Sequence, residues 1–234
     1  LHELQLKLAK ELVKSGKPIV LVLNQGRPRL ITSIEQQMEA IVNIYLPGNY
    51  GADALTDILI GDVNPSGKLP FTYPAYANSL NPYNYKPSEV QNNAQGAYNY
   101  VGEVNNLFDF GFGLSYSKFE YADFTLNKDT FVDRDELITA KVKLKNITGI
   151  DGYEVIQLYS TDSYASITPD VKRLRAFKKV LVPANEEVEV NLSFPVSDLS
   201  FYNYDNVSVL EQGDFQIHVG SSSSNVSTKS IYVE

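Results

Sequence analysis

The chain has 234 residues, of which 43% are hydrophobic and 21% charged, which is typical of a globular protein with a sizeable core. Its formal net charge of −8 argues against nucleic-acid binding, because phosphate contacts require clustered cations. There is no cysteine, which excludes disulfides and cysteine-based zinc sites, and no apolar run is long enough to span a membrane. We expect no metal ion and no cofactor. The densest basic cluster, Lys172, Arg173 and Arg175, is predicted to be a solvated strand edge.

Residues 1–73 have the pattern of an α/β domain. Apolar periodicity and caps predict three helices, at residues 1–15, 33–39 and 52–59. Continuous apolar runs predict two strands of a parallel sheet, at residues 18–23 and 40–45. Two or three strands cannot make a complete sheet of this kind. We therefore expect the remaining strands to precede Leu1, so that the chain is part of a longer protein.

Residues 74–113 form a long region rich in Asn, Tyr, Pro, Gln and Gly, which predicts a linker or a functional loop. From residue 114 to residue 234 the pattern is all-β. Apolar residues alternate with polar ones in 187–194, and strands recur at roughly ten-residue spacing. This spacing predicts a β-sandwich. Without a cysteine pair or a core tryptophan, a fibronectin type III-like sandwich fits better than an immunoglobulin domain.

One segment, 61–68, resembles two kinds of ligand-binding loop but lacks residues that each requires. Five residues separate its glycines where a P-loop has four, and Leu69 replaces the Ser or Thr that would hold magnesium. A calcium loop beginning at Asp62 would have Tyr73 where a bidentate glutamate is needed. A structural turn is therefore predicted.

Titratable groups outside that segment are also predicted to be structural. His218 falls on the polar side of an alternating strand and is expected at the surface. Only two histidines, His2 and His218, are present to serve as the base of a Ser-His-Asp triad, which argues against such a triad. Asp133, Asp135 and Glu136 form an acidic turn, for which solvation is a better interpretation than acid–base catalysis.

Five segments, in order along the chain, resemble glycoside hydrolase family 3 enzymes of the β-glucosidase type. They are KPIVLVLNQGRP at 17–28, Tyr45-Leu46-Pro47-Gly48 with Gly51, Ala54 and Asp57, LIGDVNPSGKLP at 59–70, FGFGLSY at 110–116 and GYEVIQLY at 152–159. The resemblance covers essentially the whole chain. It implies the C-terminal portion of an α/β-sandwich domain at 1–73, a linker at 74–113 and a fibronectin type III-like domain at 114–234.

The resemblance also implies an activity, the retaining hydrolysis of terminal β-linked sugars by a nucleophile and an acid/base carboxylate. In the family the nucleophile lies in an N-terminal barrel, and the acid/base glutamate lies shortly before the helix that begins here at Leu4. No acid of this chain matches either motif. We therefore expect no catalytic residue in this chain and no activity from it alone. The resemblance further implies a periplasmic or secreted enzyme, whose N-terminal part is this chain's partner and binds the β-linked oligosaccharide.

Four residues are candidate substrate contacts. Asn24 and Arg27 follow the first strand, at the edge where α/β clefts form. Tyr98 and Tyr100, on either side of Asn99, are candidates for stacking on the sugar. The alternatives are that Arg27 anchors a domain interface and that the tyrosine loop is a linker packed against the sandwich.

Two other classes of function compete with the enzyme scaffold. The chain is alternatively a carbohydrate-binding module or a purely structural sandwich, and a homodimer is left open. Against sugar binding, the tyrosines of the segment Phe201–Tyr204 are assigned to the core and the domain seam, and there is no tryptophan platform. A self-sufficient module should close its own hydrophobic faces, whereas a scaffold fragment should expose a large apolar patch.

Overall fold

The computed structural model describes residues 1–79, 82–86 and 106–234. These residues form two compact units. The α/β unit contains residues 1–63, 73–79 and 106–108, and the β-sandwich unit contains residues 64–72, 82–86 and 109–234.

The α/β unit has two helices, a parallel strand pair and a short antiparallel pair. Its elements are α1 (Glu3–Val13), β1 (Val20–Leu23), β2 (Ala40–Asn43), α2 (Gly51–Ile60), β3 (Tyr73–Pro74) and β4 (Asn106–Phe108). The parallel pair runs in register from Val20↔Ala40 to Leu23↔Asn43. The predicted parallel sheet is confirmed, and the described residues contribute two strands to it.

The ends of the helices follow from local hydrogen bonding. His2 caps α1 through two hydrogen bonds. The His2 ring nitrogen Nδ1 accepts from the Leu4 backbone N–H, and the His2 backbone N–H donates to the Gln5 side chain. Gly61, in the left-handed conformation with φ of +90°, ends α2. The helix predicted over residues 33–39 is wrong, because only a single 3₁₀ turn forms there, at Glu35–Gln37. Its cap has no side-chain hydrogen bond, and the chain returns to extended backbone at Met38 to enter β2.

The β-sandwich unit confirms the all-β prediction. Its strands are β5 (Phe119–Leu126), β6 (Thr130–Phe131), β7 (Leu137–Asn146), β8 (Gly152–Asp162), β9 (Arg173–Val182), β10 (Glu187–Pro195), β11 (Phe201–Tyr202), β12 (Ser208–Val209), β13 (Gly213–Gly220) and β14 (Val226–Val233). One sheet has the order β10-β7-β5, and the other has the order β6-β14-β13-β8-β9. The hairpin of β11 and β12 forms a small third sheet.

Strand alternation places the core between the two large sheets. In β7 every second side chain is buried, from Ile138 to Leu144, while the lysines between them reach solvent. The facing sheet contributes Ile156, Leu158 and Ile217, all completely buried. Each such side chain stabilises the fold by roughly 1.5–3 kcal/mol, so this core is the main source of the unit's stability.

The segment 64–69 belongs to the β-sandwich unit and pairs with residues near 111–117. The Leu69 N–H donates to the Phe112 carbonyl, and the Gly111 N–H donates to the Leu69 carbonyl, both at 2.8 Å. A side chain at Gly113 would place its Cβ 2.1 Å from the Gly67 carbonyl oxygen. Only glycine permits this close approach, which explains one glycine of the FGFGLSY segment.

Candidate functional site

The α/β unit carries an open groove of about 1100 Å³ between α1 and β1. Its wall is apolar, and several of its side chains are unusually exposed for their type, with Leu8 at 60%, Leu12 at 49% and Val20 at 45%. No residue of α1 is buried. A helix with this apolar periodicity normally packs against a core, so the groove is an uncovered hydrophobic face.

The polar end of the groove is the loop that follows β1. Asn24 and Arg27 are both exposed and both line the groove there. The two residues lie at the carboxyl end of the parallel strand β1. Their contact with substrate stays a prediction. Tyr98, Asn99 and Tyr100, the other candidates, lie outside the described residues.

Gln25 holds this loop in place through a buried network that the sequence did not reveal. Its Nε2 donates to the Tyr73 hydroxyl at 3.1 Å, and its Oε1 accepts from the Arg29 N–H at 3.1 Å. The Tyr73 hydroxyl in turn donates to the Arg29 carbonyl at 2.7 Å. Burial raises the pKa of Tyr73, which therefore stays a neutral donor. Nothing in the local sequence marks Gln25 as buried, and its partner Tyr73 is 48 positions away.

The loop after β2 is tied to the same place by a strained residue. Tyr45 has φ of +52°, a conformation that is rare for an aromatic side chain. Its carbonyl accepts a hydrogen bond of 3.0 Å from the Gln25 N–H. Strain of this kind persists only where the surrounding structure enforces it. The two loops at the carboxyl edge of the sheet are thus fixed to each other.

The groove offers binding groups but no acid–base pair. No aspartate or glutamate is among the described residues that line it. Across residues 1–79, 82–86 and 106–234 there is also no group of three or more His, Asp or Glu side chains placed to hold a metal ion. Retaining glycoside hydrolysis requires two carboxyl groups about 5 Å apart. The groove by itself is therefore suited to binding and support.

The β-sandwich unit contains a buried ion pair that links two of the motif segments. The Lys68 ammonium lies 3.1 Å from Glu154 Oε2 and donates to the Gly113 carbonyl at 2.9 Å. The Tyr121 hydroxyl donates to the other Glu154 oxygen at 3.0 Å. Burial raises the pKa of Glu154, and the nearby Lys68 partly offsets that rise. This cluster positions the segment 64–69 and is structural.

The prediction that His218 lies at the surface is wrong, because the side chain is only 5% exposed. The Thr161 hydroxyl donates to the Val171 carbonyl and lies 2.8 Å from His218 Nε2, so this nitrogen carries the proton and donates. His218 Nδ1 then accepts from the Thr228 hydroxyl at 2.8 Å. Alternation placed His218 opposite the main core correctly, but neighbouring strands and Lys172 cover that face as well.

We expect His218 to make the fold sensitive to acid. Burial, together with the Lys172 charge, lowers the pKa of His218 from 6.5 to about 4. His218 therefore takes up a proton near pH 6.5 in the unfolded chain but only near pH 4 in the folded chain. The contribution of His218 to the free energy of unfolding is fully present above pH 6.5. It falls by about 3 kcal/mol as the pH drops from 6.5 to about 4.

The variant His218→Gln checks this expectation. Glutamine retains one donor and one acceptor but does not titrate. Urea unfolding followed by circular dichroism, near pH 7 and near pH 4, should show a smaller acid-induced loss in the variant than in the parent chain. An equal loss in both proteins would mean that other groups cause the acid sensitivity.

Two further charged clusters differ in how well they were predicted. The acidic turn is confirmed as structural, since Glu136 pairs with Lys128 and accepts backbone hydrogen bonds from Val132 and Asp133. The prediction that Lys172, Arg173 and Arg175 form a solvated strand edge is wrong in part. β9 is an edge strand and Arg173 is exposed on it, but burial lowers the pKa of Lys172 and of Arg175.

Comparison with protein families identifies both parts of the chain. The family described as glycosyl hydrolase family 3 C-terminal domain matches residues 1–116, and the family described as fibronectin type III-like domain matches residues 154–223. The chain belongs to the C-terminal region of glycosyl hydrolase family 3. This result confirms the resemblance drawn from the five motif segments.

Individual relatives of this family 3 chain match along nearly its whole length. It is 36% identical to the periplasmic beta-glucosidase of Salmonella typhimurium, over 95% of this chain and 30% of the relative. It is 32% identical to a beta-xylosidase of Formosa agariphila, over 95% of this chain and 31% of that protein. The chain thus spans about a third of the length of these relatives.

Solved structures support the same assignment. The beta-glucosidase of Listeria innocua, solved in complex with isofagomine, aligns with a TM-score of 0.92 at 34% identity. The alignment covers 100% of this chain and 33% of that one. The expected order of a mixed α/β region followed by a fibronectin type III-like sandwich is therefore confirmed. Among the described residues, no helix is both long and apolar enough to cross a membrane.

Proposed function

We propose that this chain is the C-terminal scaffold of a retaining β-glycosidase that removes terminal β-linked sugars, in the manner of a β-glucosidase. The names of its relatives, beta-glucosidases and a beta-xylosidase, support this class of reaction. The chain matches only about a third of each relative, and the groove lacks acids. In this proposal both catalytic carboxylates belong to the N-terminal part of the enzyme.

The observation that carries the proposal is the uncovered apolar face of α1 and β1. Strands of a parallel sheet are stable when helices or further strands cover both of their faces. Burying the exposed apolar surface of Leu8 and Leu12 would stabilise the protein by roughly 25 cal/mol for each square ångström. We infer that the N-terminal part of the same enzyme completes the sheet and covers the groove.

In the assembled enzyme, Asn24 and Arg27 lie at the carboxyl edge of that completed sheet. Their amide and guanidinium groups are suited to hydrogen bonds with sugar hydroxyls or with the rim of the active site. The rigid Gln25 network supports the loop from behind, which is the arrangement that a precise contact requires. Interface anchoring by Arg27 remains the competing role.

We further propose that the enzyme works in the periplasm or outside the cell. A relative named for the periplasm supports this location, and a chain without cysteine is compatible with an oxidising compartment.

The double variant Leu8→Ser, Leu12→Ser tests the proposed covering of the groove. Because neither side chain is buried in this chain, its own thermal unfolding should change little. Binding to the matching N-terminal part, measured by calorimetry, should weaken at least about a hundredfold as two apolar anchors are lost.

The matched control is Lys10→Ser, Glu11→Ser, which changes side chains of the same helix that do not line the groove. This control should bind the N-terminal part like the parent chain. If the leucine variant also binds normally, the groove is not the docking face.

A further inference from the structure

Three tyrosines of the β-sandwich unit are exposed, with Tyr164 at 87%, Tyr202 at 68% and Tyr204 at 89%. The sequence-based assignment of Phe201, Tyr202 and Tyr204 to the core and seam is wrong for both tyrosines, and only Phe201 is half-buried. That assignment was one of two arguments against sugar binding, and the exposure of both tyrosines contradicts it.

Tyr202 and Tyr204 are carried by a well-ordered hairpin. The Asn203 side-chain oxygen accepts hydrogen bonds from the Asp205 and Val207 N–H groups, each at 3.0 Å. The Asn203 N–H also donates to the Val207 carbonyl at 3.0 Å, which closes the turn between β11 and β12. Aromatic side chains held on a fixed backbone bind with little loss of conformational entropy.

Tyr164 lies on the loop after β8, and this loop is hydrogen-bonded to the residue Glu211, which follows the hairpin. Its N–H donates to the Asp162 carboxylate at 3.1 Å, which fixes the start of the loop. Two residues further on, the Ser166 N–H donates to Glu211 Oε2 at 2.8 Å, and Glu211 follows β12 closely. The two tyrosine-bearing segments are thus anchored to each other.

The charge of this region limits what it can bind. No lysine or arginine occurs between residues 180 and 228, whereas four carboxylates accompany the hairpin, at Asp198, Asp205, Glu211 and Asp214. Two arginines reach the start of the hairpin, where Arg134 donates to the Ser200 hydroxyl and Arg175 donates to the Asp198 carbonyl, so carboxylates outnumber cations four to two. This excess of negative charge disfavours nucleic acids, anionic lipids and acidic proteins. Exposed aromatic rings can stack on the C–H faces of sugars, and carboxylate oxygens accept hydrogen bonds from sugar hydroxyls.

We propose that Tyr164, Tyr202 and Tyr204 form a non-catalytic binding surface for neutral β-linked polysaccharides. The choice of β-linked chains rests on the proposed function, whereas the surface itself does not. The surface gives the enzyme a second, independent hold on a polymer whose ends it degrades.

Affinity electrophoresis of the whole chain tests this proposal. Native gels containing a soluble neutral β-glucan should retard the chain relative to plain gels, and gels containing carboxymethyl cellulose, its anionic counterpart, should retard it less. Tyr202→Ala and Tyr204→Ala should each reduce the affinity about tenfold. The matched control is Tyr153→Ala, an exposed tyrosine of β8, which should be retarded like the parent.

No retardation by the neutral β-glucan, or equal retardation of the parent and both hairpin variants, would overturn the proposal. Sedimentation that shows self-association abolished by Tyr204→Ala would overturn it in favour of a second copy of the chain. Because the readout involves no hydrolysis, its failure can be told apart from a failure of the proposed catalytic role.

Discussion

Replacing Lys68 with methionine is expected to lower the free energy of unfolding of the β-sandwich unit by about 3–5 kcal/mol. The substitution leaves the Glu154 carboxylate, whose side chain is only 4% exposed, without its cation. Urea denaturation followed by circular dichroism measures the change. Since burial already raises the pKa of Glu154, the deficit should shrink as the pH falls and the carboxyl takes up a proton.

Two further variants separate the charge effect from simple loss of packing. In Lys68→Met, Glu154→Gln the uncompensated charge is gone, so much of the lost stability should return. Lys141→Met removes a comparable ion pair with Glu189, at 2.7 Å, but both of its side chains are largely exposed. This control should change stability little. A loss in Lys68→Met no larger than that of the control would show that the buried pair is unimportant.

Replacing Asn64 with alanine is expected to cost about 2–4 kcal/mol, because one side chain makes four hydrogen bonds. Its Nδ2 donates to the Ser117 hydroxyl and the Asp151 carbonyl, each at 2.8 Å. Its Oδ1 accepts from the Ser115 hydroxyl at 2.8 Å and the Tyr116 N–H at 2.9 Å. Alanine removes all four hydrogen bonds at once, and with them the link between segment 64–69 and residues 115–117.

Hydrogen exchange measures the local consequence directly, since the Tyr116 amide should exchange faster in Asn64→Ala than in the parent. Asn127→Ala is the matched control. Asn127 also accepts from a backbone N–H and donates to a carbonyl, but it makes two bonds at an exposed site. The control should lose less stability and leave the Tyr116 amide protected. Equal losses in the two variants would contradict the role given to Asn64.

The parts of the fold that were predicted from sequence are those set by local periodicity. The apolar periodicity of residues 1–15 predicted α1, and the alternation in residues 187–194 predicted β10. The helix predicted over 33–39 did not form because the segment is short and its backbone is already extended at Met38, just before β2 begins at Ala40. Local propensity is a weak prior where tertiary pairing competes with it.

In the candidate site, too, local features could be predicted from the sequence and long-range contacts could not. Asn24 and Arg27 could be proposed from the sequence because they follow a strand whose carboxyl end can be recognised there, and their contact with substrate stays a prediction. Long-range partners were not found, since Gln25 meets Tyr73 and Lys68 meets Glu154 only after the chain has folded. Likewise, alternation gave the face on which His218 lies but not what covers that face.

Hydrolysis of an aryl β-glucoside, measured with the purified chain alone and then with the matching N-terminal part, decides whether this chain acts as a scaffold. We expect no turnover by the chain alone and recovery when the two parts are mixed, with recovery lost in Leu8→Ser, Leu12→Ser. Turnover by the purified chain alone would contradict the account, because it would place catalytic carboxylates among the acids of these 234 residues.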